Sequence, residues 1–128
     1  MKTLKIGIAS YEDMKARTLA IAKGEITPKT NEPKVWFTSP ESFAKVLSNR
    51  NRALLAVISD THPTSLHDLA AQTGRSPGNL SRTLKTMERY GLVLLHKGER
   101  GRIRAEVPYH DVQLEMTLSQ NVTTNSSP

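Results

Sequence analysis

The chain contains no cysteine among its 128 residues. Disulfide bonds, thiolate metal sites and cysteine nucleophiles are therefore excluded together. Aromatic residues make up only 5% of the chain, and its apolar runs are much shorter than the roughly 18 residues that a membrane-spanning helix requires. The first ten residues carry too short an apolar segment for a secretory signal. These absences predict a cytoplasmic protein, and the length of 128 residues predicts one domain with a hydrophobic core, being too short for two independent domains.

Groups of residues that carry catalysis or hold metals are also missing from the sequence. The four histidines lie in separate segments, without ligand spacing or accompanying carboxylates. Ser81 has no adjacent base, and there is neither a glycine-rich phosphate loop nor a pair of carboxylates. A nuclease would need clustered acids, which the chain lacks. The sequence therefore predicts no enzyme activity, no metal site and no cofactor.

Positive charge is concentrated in one window of the chain. Residues 75–104 contain eight Lys or Arg and two acids, a net charge of +6, and the whole chain also sums to +6. The remaining residues are thus electrically balanced. A local excess of this kind is typical of a surface that neutralises phosphates.

Helix start and stop signals divide this region into two helices joined by a turn. Ser65 with Asp68 forms a capping-box pattern that opens a short helix, and Gly74 stands where a left-handed residue ends it. Ser76 followed by Pro77 then opens a second helix that continues to about Tyr90. The order predicts a helix-turn-helix.

The second helix has two distinct faces at 100° per residue. One face carries Leu80, Leu84 and Met87 and is predicted to pack inward. The opposite face is polar and basic, and it carries Gly78, Asn79, Arg82, Lys85, Thr86 and Arg89. We expect the second face to be free for an external partner.

After Gly91 the apolar period changes from 3.6 to 2, which indicates strands. Ile103, Ala105 and Val107 alternate with Arg102 and Arg104. Residues 97–101 contain two glycines and predict a hairpin loop. The pattern therefore describes a basic β-hairpin, or wing, after the second helix.

This arrangement fits double-stranded DNA. A helix of about 10 Å diameter enters the major groove, where Asn pairs with adenine and Arg with guanine. We expect Asn79 and Arg82 to read bases, Lys85 and Arg89 to anchor the backbone, and the wing to follow a minor groove or phosphate run. The predicted DNA-contacting residues are Arg75, Ser76, Gly78, Asn79, Ser81, Arg82, Lys85, Thr86, Arg89, Lys97, Arg100, Arg102 and Arg104.

The N-terminal segment predicts a strand followed by a helix. Leu4, Ile6 and Ile8 alternate with polar or small residues, and Ser10 is a candidate N-cap for a helix that ends at Gly24. Residues 35–37 suit either a short strand or a hydrophobic plug. Ser39 and Pro40 predict another helix start, with a break near residues 48–49 separating it from the next helix.

The C-terminal segment alternates Val112, Leu114, Met116 and Leu118 with polar residues, which predicts a last strand. This strand needs a partner, and the N-terminal strand is an available one, within the chain or across a homodimer. We expect both terminal strands to be sheet edges, which native proteins seldom leave uncovered. The predicted organisation is an N-terminal strand–helix extension for dimerisation (1–38), a winged helix-turn-helix (39–107), a C-terminal strand (108–120) and a disordered tail (121–128). The predicted fold class is α+β.

Residues 81–93 carry a family resemblance. The segment Ser-Arg-Thr-Leu-Lys-Thr-Met-Glu-Arg-Tyr-Gly-Leu-Val resembles the recognition helix and first wing strand of winged helix-turn-helix regulators of the MarR type, although Met87 replaces the usual leucine. The resemblance covers residues 50–107. It implies transcriptional repression by a homodimer, while the lack of a long apolar run predicts no membrane partner.

The layout as a whole also resembles small prokaryotic DNA-binding proteins, some regarded as antitoxins that repress their own operons. That resemblance leaves an alternative function open. In it the chain mainly holds a partner protein, a toxin from a neighbouring gene, and regulates its own operon. Co-purification of the two gene products separates this alternative from DNA regulation alone.

Overall fold

A computed structural model describes residues 2–28 and 30–118. Its elements in chain order are β1 (Thr3–Ile8), α1 (Tyr11–Ala22), β2 (Val35–Phe37), α2 (Pro40–Val46), α3 (Asn49–Thr61), α4 (Leu66–Thr73), α5 (Pro77–Arg89), β3 (Leu94–Lys97), a 3-10 turn (Glu99–Gly101), β4 (Ile103–Glu106) and β5 (Asp111–Met116). The predicted α+β class is confirmed. Within the described ranges, no helix is long and apolar enough to cross a membrane.

Serine side chains set the starts of the helices. The hydroxyl oxygens of Ser10, Ser48, Ser65 and Ser76 each accept a hydrogen bond from the backbone N–H three residues later. Such caps satisfy a donor that the first helical turn leaves unpaired. The predicted separation of α2 from α3 is confirmed, because Ser48 caps a new helix there.

The described residues fall into two compact units. Residues 2–3 and 44–111 form the first unit, and residues 4–43 and 112–118 form the second. The sequence-based limits at residues 38, 107 and 120 stay predictions. The predicted tail at 121–128 lies outside the described residues.

The first unit contains the helix-turn-helix and the wing. Helix α4 contacts α3 and α5, α5 contacts β3, and β3 pairs with β4. Its core is almost entirely aliphatic, and its buried members are Leu47, Leu54, Ile58, Pro63, Leu69, Leu80, Leu84, Met87, Leu92, Val93 and Ala105. The elements therefore follow the order of a winged helix-turn-helix.

The second unit is a three-stranded sheet, with strand order β2-β1-β5, together with helix α1. Strands β1 and β2 are parallel, and Gly7 is paired with Trp36. A Cβ atom at Gly7 would lie 2.3 Å from the Trp36 ring, so only glycine lets that ring lie across the strand. The guanidinium of Arg17 lies 5.8 Å from the centre of the same ring. These contacts attach α1 to the sheet.

The N-terminal strand is the partner of the last strand, as predicted, because β5 lies beside β1. The prediction that both terminal strands are edges is wrong for β1. Residues 35–37 form a strand, not a plug, and this strand occupies one side of β1 while β5 occupies the other. Leu4, Ile6 and Ile8 are consequently buried. The alternation of apolar residues identified the strand but did not show its position in the sheet, because position depends on which distant segments pair with it.

Candidate nucleic-acid interface

The turn between α4 and α5 fixes where α5 begins. Gly74 has a φ of +75°, and its N–H donates to the carbonyl oxygen of Ala70 at 2.9 Å. Two residues later the Ser76 hydroxyl accepts from the N–H of Asn79 at 3.1 Å, and Pro77 occupies the first turn of the helix. Both signals were predicted from the sequence and are confirmed. The short turn holds α5 against α4.

The inner face of α5 anchors the helix. Leu80, Leu84 and Met87 are each 0% exposed, and the helix contacts α4 and β3. The predicted division of α5 into two faces is confirmed for these three residues. Because the buried face is fixed, the opposite face is presented at a defined angle.

The outer face of α5 carries most of the residues predicted to contact DNA. Ser76, Gly78, Arg82, Lys85 and Arg89 are exposed, whereas Asn79, Ser81 and Thr86 are half-buried. Arg89 donates to the Thr86 hydroxyl at 3.5 Å, a long and weak hydrogen bond. The three exposed cations stand on the face opposite to the core.

A fork of three hydrogen bonds holds the half-buried side chain of Arg75 against the protein. Its Nε donates to Asn79 Oδ1 at 2.8 Å, Nη1 to Asn51 Oδ1 at 3.3 Å and Nη2 to Thr83 Oγ1 at 3.1 Å. Burial lowers the pKa of Arg75 below its ordinary value, and the nearby charge of Arg50 lowers this pKa further. The guanidinium joins the start of α3 to α5.

The hydrogen bond from Arg75 limits how Asn79 can read a base. A bidentate pair with adenine uses both the amide oxygen and the amide nitrogen of an asparagine. The oxygen of Asn79 already accepts from Arg75. Base reading by Asn79 therefore requires that oxygen to share or release the Arg75 hydrogen bond, whereas exposed Arg82 carries no such constraint.

The wing is a short antiparallel hairpin. Leu94 is paired with Glu106 and Lys97 with Ile103. The loop closes through a 2.6 Å hydrogen bond from the Gly98 N–H to the Arg102 carbonyl, and Arg100 takes a left-handed conformation with a φ of +58°. The predicted hairpin is confirmed, with a 3-10 turn at its tip.

The wing exposes its cations in the expected alternation. Ala105 is buried while Lys97, Arg100, Arg102 and Arg104 are exposed. Arg100 and Arg102, together with Glu99, line a pocket of about 450 Å³ at the tip of the hairpin. A contact of 2.8 Å between His96 Nε2 and Glu106 Oε1 links the two strands.

Seven exposed cations therefore lie on α5 and the wing, and none of them forms an ion pair within residues 2–28 and 30–118. They are Arg82, Lys85, Arg89, Lys97, Arg100, Arg102 and Arg104. Like charges that outnumber their counter-charges repel one another, and an external polyanion relieves that repulsion. The arrangement suits a ligand carrying several phosphates.

Sequence reasoning missed the start of α3. Arg50 is close enough to Arg75 to affect its pKa, and Asn51 supplies one acceptor of the fork. The available signal was the run Arg50-Asn51-Arg52, which places cations in the first turn of a helix, where the helix dipole disfavours them.

No group of three or more His, Cys, Asp or Glu side chains that could hold a metal ion occurs in the part of the chain that the structure describes. The exposed side chains of the candidate interface supply hydrogen-bond donors and positive charge.

Replacing Arg75 by methionine is expected to destabilise the protein by about 1.5–3 kcal/mol, because three partly buried acceptors lose a charged donor. Chemical denaturation followed by circular dichroism measures this difference. Arg75→Lys should recover only part of it, since an ammonium group cannot reproduce the planar fork. The control is exposed Arg52→Met, expected within about 0.5 kcal/mol of the wild type. Equal losses for Arg75→Met and Arg52→Met would show that the fork contributes nothing.

Comparison with known proteins gives one family and one solved structure. The HVO_A0114 family model matches residues 46–114, which are 69 of the 128 residues. The crystal structure of a predicted DNA-binding transcriptional regulator from E. coli is similar over 74% of this chain and 84% of that chain, with 21% sequence identity and a TM-score of 0.45. No curated protein matches the chain. The family match spans α3 to β4 and the first residues of β5.

Proposed function

The chain belongs to the HVO_A0114 family, and we propose that it is a sequence-specific double-stranded-DNA-binding transcriptional regulator. In this proposal α5 enters the major groove and the wing, residues 97–104, contacts the adjacent backbone or minor groove. Residues 39–107 are the DNA-binding domain. The protein acts in the cytoplasm without catalysis.

One observation carries this proposal. Seven exposed cations lie on α5 and the wing and have no ion-pair partner in the described ranges: three on the face of α5 opposite to its buried side chains and four on the wing. A protein-binding winged helix would more often present an acidic or apolar outer face. The observed surface instead provides the electrostatic attraction that governs affinity for a phosphate backbone.

We assign separate roles to the residues of the interface. Arg82 is the principal base reader, because an exposed guanidinium on the first turns of α5 can pair bidentately with guanine. Lys85 and Arg89 contact phosphates, while Ser76, Gly78, Ser81 and Thr86 allow close approach and add hydrogen bonds. Asn79 reads a base only in combination with Arg75, whose side chain it binds.

The proposed regulator is a homodimer of the MarR type that represses its own operon. A dimer suits a palindromic operator, because two copies of α5 then read two half-sites. The segments 1–38 and 108–120 are proposed to form the dimer. The exposed apolar residues of β5 also favour the alternative, an antitoxin-like protein that holds a toxin from a neighbouring gene.

A footprint on the DNA upstream of the chain's own gene tests the proposal. We expect protection of a palindromic site, and Arg82→Ala should lose about 1–3 kcal/mol of discrimination at one base pair in each half-site. Lys85→Ala is the matched control, since losing a phosphate contact weakens binding to all sequences alike. Unchanged sequence preference in Arg82→Ala would remove it as the reader, and the absence of any protected site would overturn the proposed function.

A further inference from the structure

Strand β5 forms the long open edge of the sheet in the second unit. The strand order β2-β1-β5 leaves one side of β5 without a neighbouring strand in the described part of the chain. The other edge strand, β2, has three residues, whereas β5 has six. Longer edges offer more unpaired N–H and C=O groups to an added strand. Of the two edges, β5 is therefore the better suited to pairing.

The buried apolar row of β1 continues onto β5, where the apolar side chains are exposed to solvent. Thr3 Oγ1 donates to Asp111 Oδ1 at 2.6 Å, so the odd-numbered side chains of β1 and β5 share one face. The even-numbered side chains consequently share the other face. There Leu4, Ile6 and Ile8 of β1 are buried.

On that same face the β5 residues Val112, Leu114 and Met116 remain 39%, 42% and 45% exposed. The apolar surface of the sheet thus ends uncovered at its open edge.

The devices that normally protect an edge strand are absent from β5. Residues 111–116 contain no lysine, arginine or proline, and the charges of Asp111 and Glu115 lie on the face opposite to the apolar row. Native proteins usually place such residues on edges that must remain single. A strand with this composition suits pairing with another strand.

We propose that a second copy of this chain pairs with β5 in antiparallel orientation, with Leu114 on the twofold axis, so that the two three-stranded sheets become one sheet of six strands. The proposal deepens the proposed function, since it rests on the regulator being a homodimer. In this register Val112 lies opposite the partner's Met116. The exposed apolar rows of the two copies become continuous.

Charge selects this register among its neighbours. With the axis at Leu114, Gln113 lies opposite the partner's Glu115, and the two can form a hydrogen bond. Moving the axis to Gln113 places Asp111 opposite the partner's Glu115, and moving it to Glu115 places two carboxylates together. Like charges directly opposite each other destabilise a strand pair. The registers centred on Gln113 and on Leu114 each pair five residues of β5, more than the other registers do, and of these two only the one centred on Leu114 avoids opposed carboxylates.

The natural absence of cysteine allows a direct test of this register. Leu114→Cys should form a disulfide-linked dimer under mild oxidation, because opposite residues of antiparallel strands have Cα atoms about 4.5–5.5 Å apart, within disulfide range. Val112→Cys should not, because its two copies would lie four residues apart along the strands, roughly 14 Å. Leu94→Cys is the matched control, a leucine of another strand with a similar exposure of 45%.

Analytical ultracentrifugation of the unmodified protein supplies the second measurement. We expect twice the chain mass of 14.2 kDa, and we expect Leu114→Lys to sediment as a monomer with an unchanged far-ultraviolet circular dichroism spectrum. A monomeric wild type, a dimeric Leu114→Lys, or equal cross-linking at positions 94, 112 and 114 would overturn the proposal. Pairing of β5 with a different protein, while the chain alone stays monomeric, would also overturn it.

The experiments distinguish failure of the β5 pairing from failure of the proposed DNA-binding function. Wild-type protein that protects its upstream DNA as a monomer would defeat the β5 pairing and leave DNA recognition standing. The pairing would stand and the proposed function would fail if Leu114→Cys cross-links under oxidation but neither the reduced variant nor the wild type binds DNA. Only a dimer that cross-links at Leu114 and protects a palindromic site supports both.

Discussion

Replacing Leu84 by alanine is expected to lower the free energy of unfolding by about 2–5 kcal/mol. Leu84 lies at the middle of the buried face of α5 and is 0% exposed. The substitution removes apolar contacts and leaves a cavity that helices α4 and α5 can only partly close. Because small domains have only about 5–15 kcal/mol of stability, the loss is a large fraction of the total.

Urea denaturation followed by circular dichroism measures the effect, with Glu88→Ala as the control. Glu88 lies on the same helix but is exposed, so its loss should change stability by no more than about 0.5 kcal/mol. A loss below about 1 kcal/mol for Leu84→Ala would contradict the placement of this side chain in the core.

Removing the three wing arginines together should weaken DNA binding by about a hundredfold at 0.15 M salt. The variant carries Arg100→Ala, Arg102→Ala and Arg104→Ala. Each phosphate contact contributes about −0.9 to the slope of log affinity against log salt. The wild-type slope is expected to be about −5, for roughly six contacts, and the triple variant should fall to about −2 or −3.

Fluorescence anisotropy with the footprinted duplex at several salt concentrations measures both the affinity and the slope. The matched control replaces three exposed lysines outside α5 and the wing by alanine. They are Lys15 on α1, Lys23 at the end of α1 and Lys45 on α2. Both variants reduce the net charge of +6 by the same amount. Equal weakening in the two would mean that total charge, and not the wing, governs binding. Sequence preference should persist in the wing variant where the wing contacts phosphates, which carry no sequence information, whereas loss of a preference for A·T tracts would place the wing in the minor groove.

Signals that lie within a few residues of each other predicted the local structure of the first unit. The serine caps at positions 65 and 76 and the left-handed residue at 74 were all identifiable from the sequence. Each depends on hydrogen bonds between residues three or four positions apart. The sequence also predicted the two faces of α5, since the helical period alone separates Leu80 and Leu84 from Arg82 and Lys85.

The sequence did not predict which way the Arg75 side chain points. The sequence grouped it with the cations expected to contact DNA, whereas its guanidinium binds Asn51, Asn79 and Thr83. Asn51 is 24 positions away in the chain. A side chain at the edge of a turn can face solvent or protein, and the packing of α3 beside that turn decides between them.

By itself the sequence determined the helices and strands, the helix-turn-helix order and the location of the excess positive charge, because these follow from capping, periodicity and composition along the chain. Only the tertiary structure decided that β1 is central and β5 is the open edge. The contact between Thr3 and Asp111 joins residues 108 positions apart. Which distant strands pair depends on the competition among all available edges for the same backbone groups, and no local pattern contains that information.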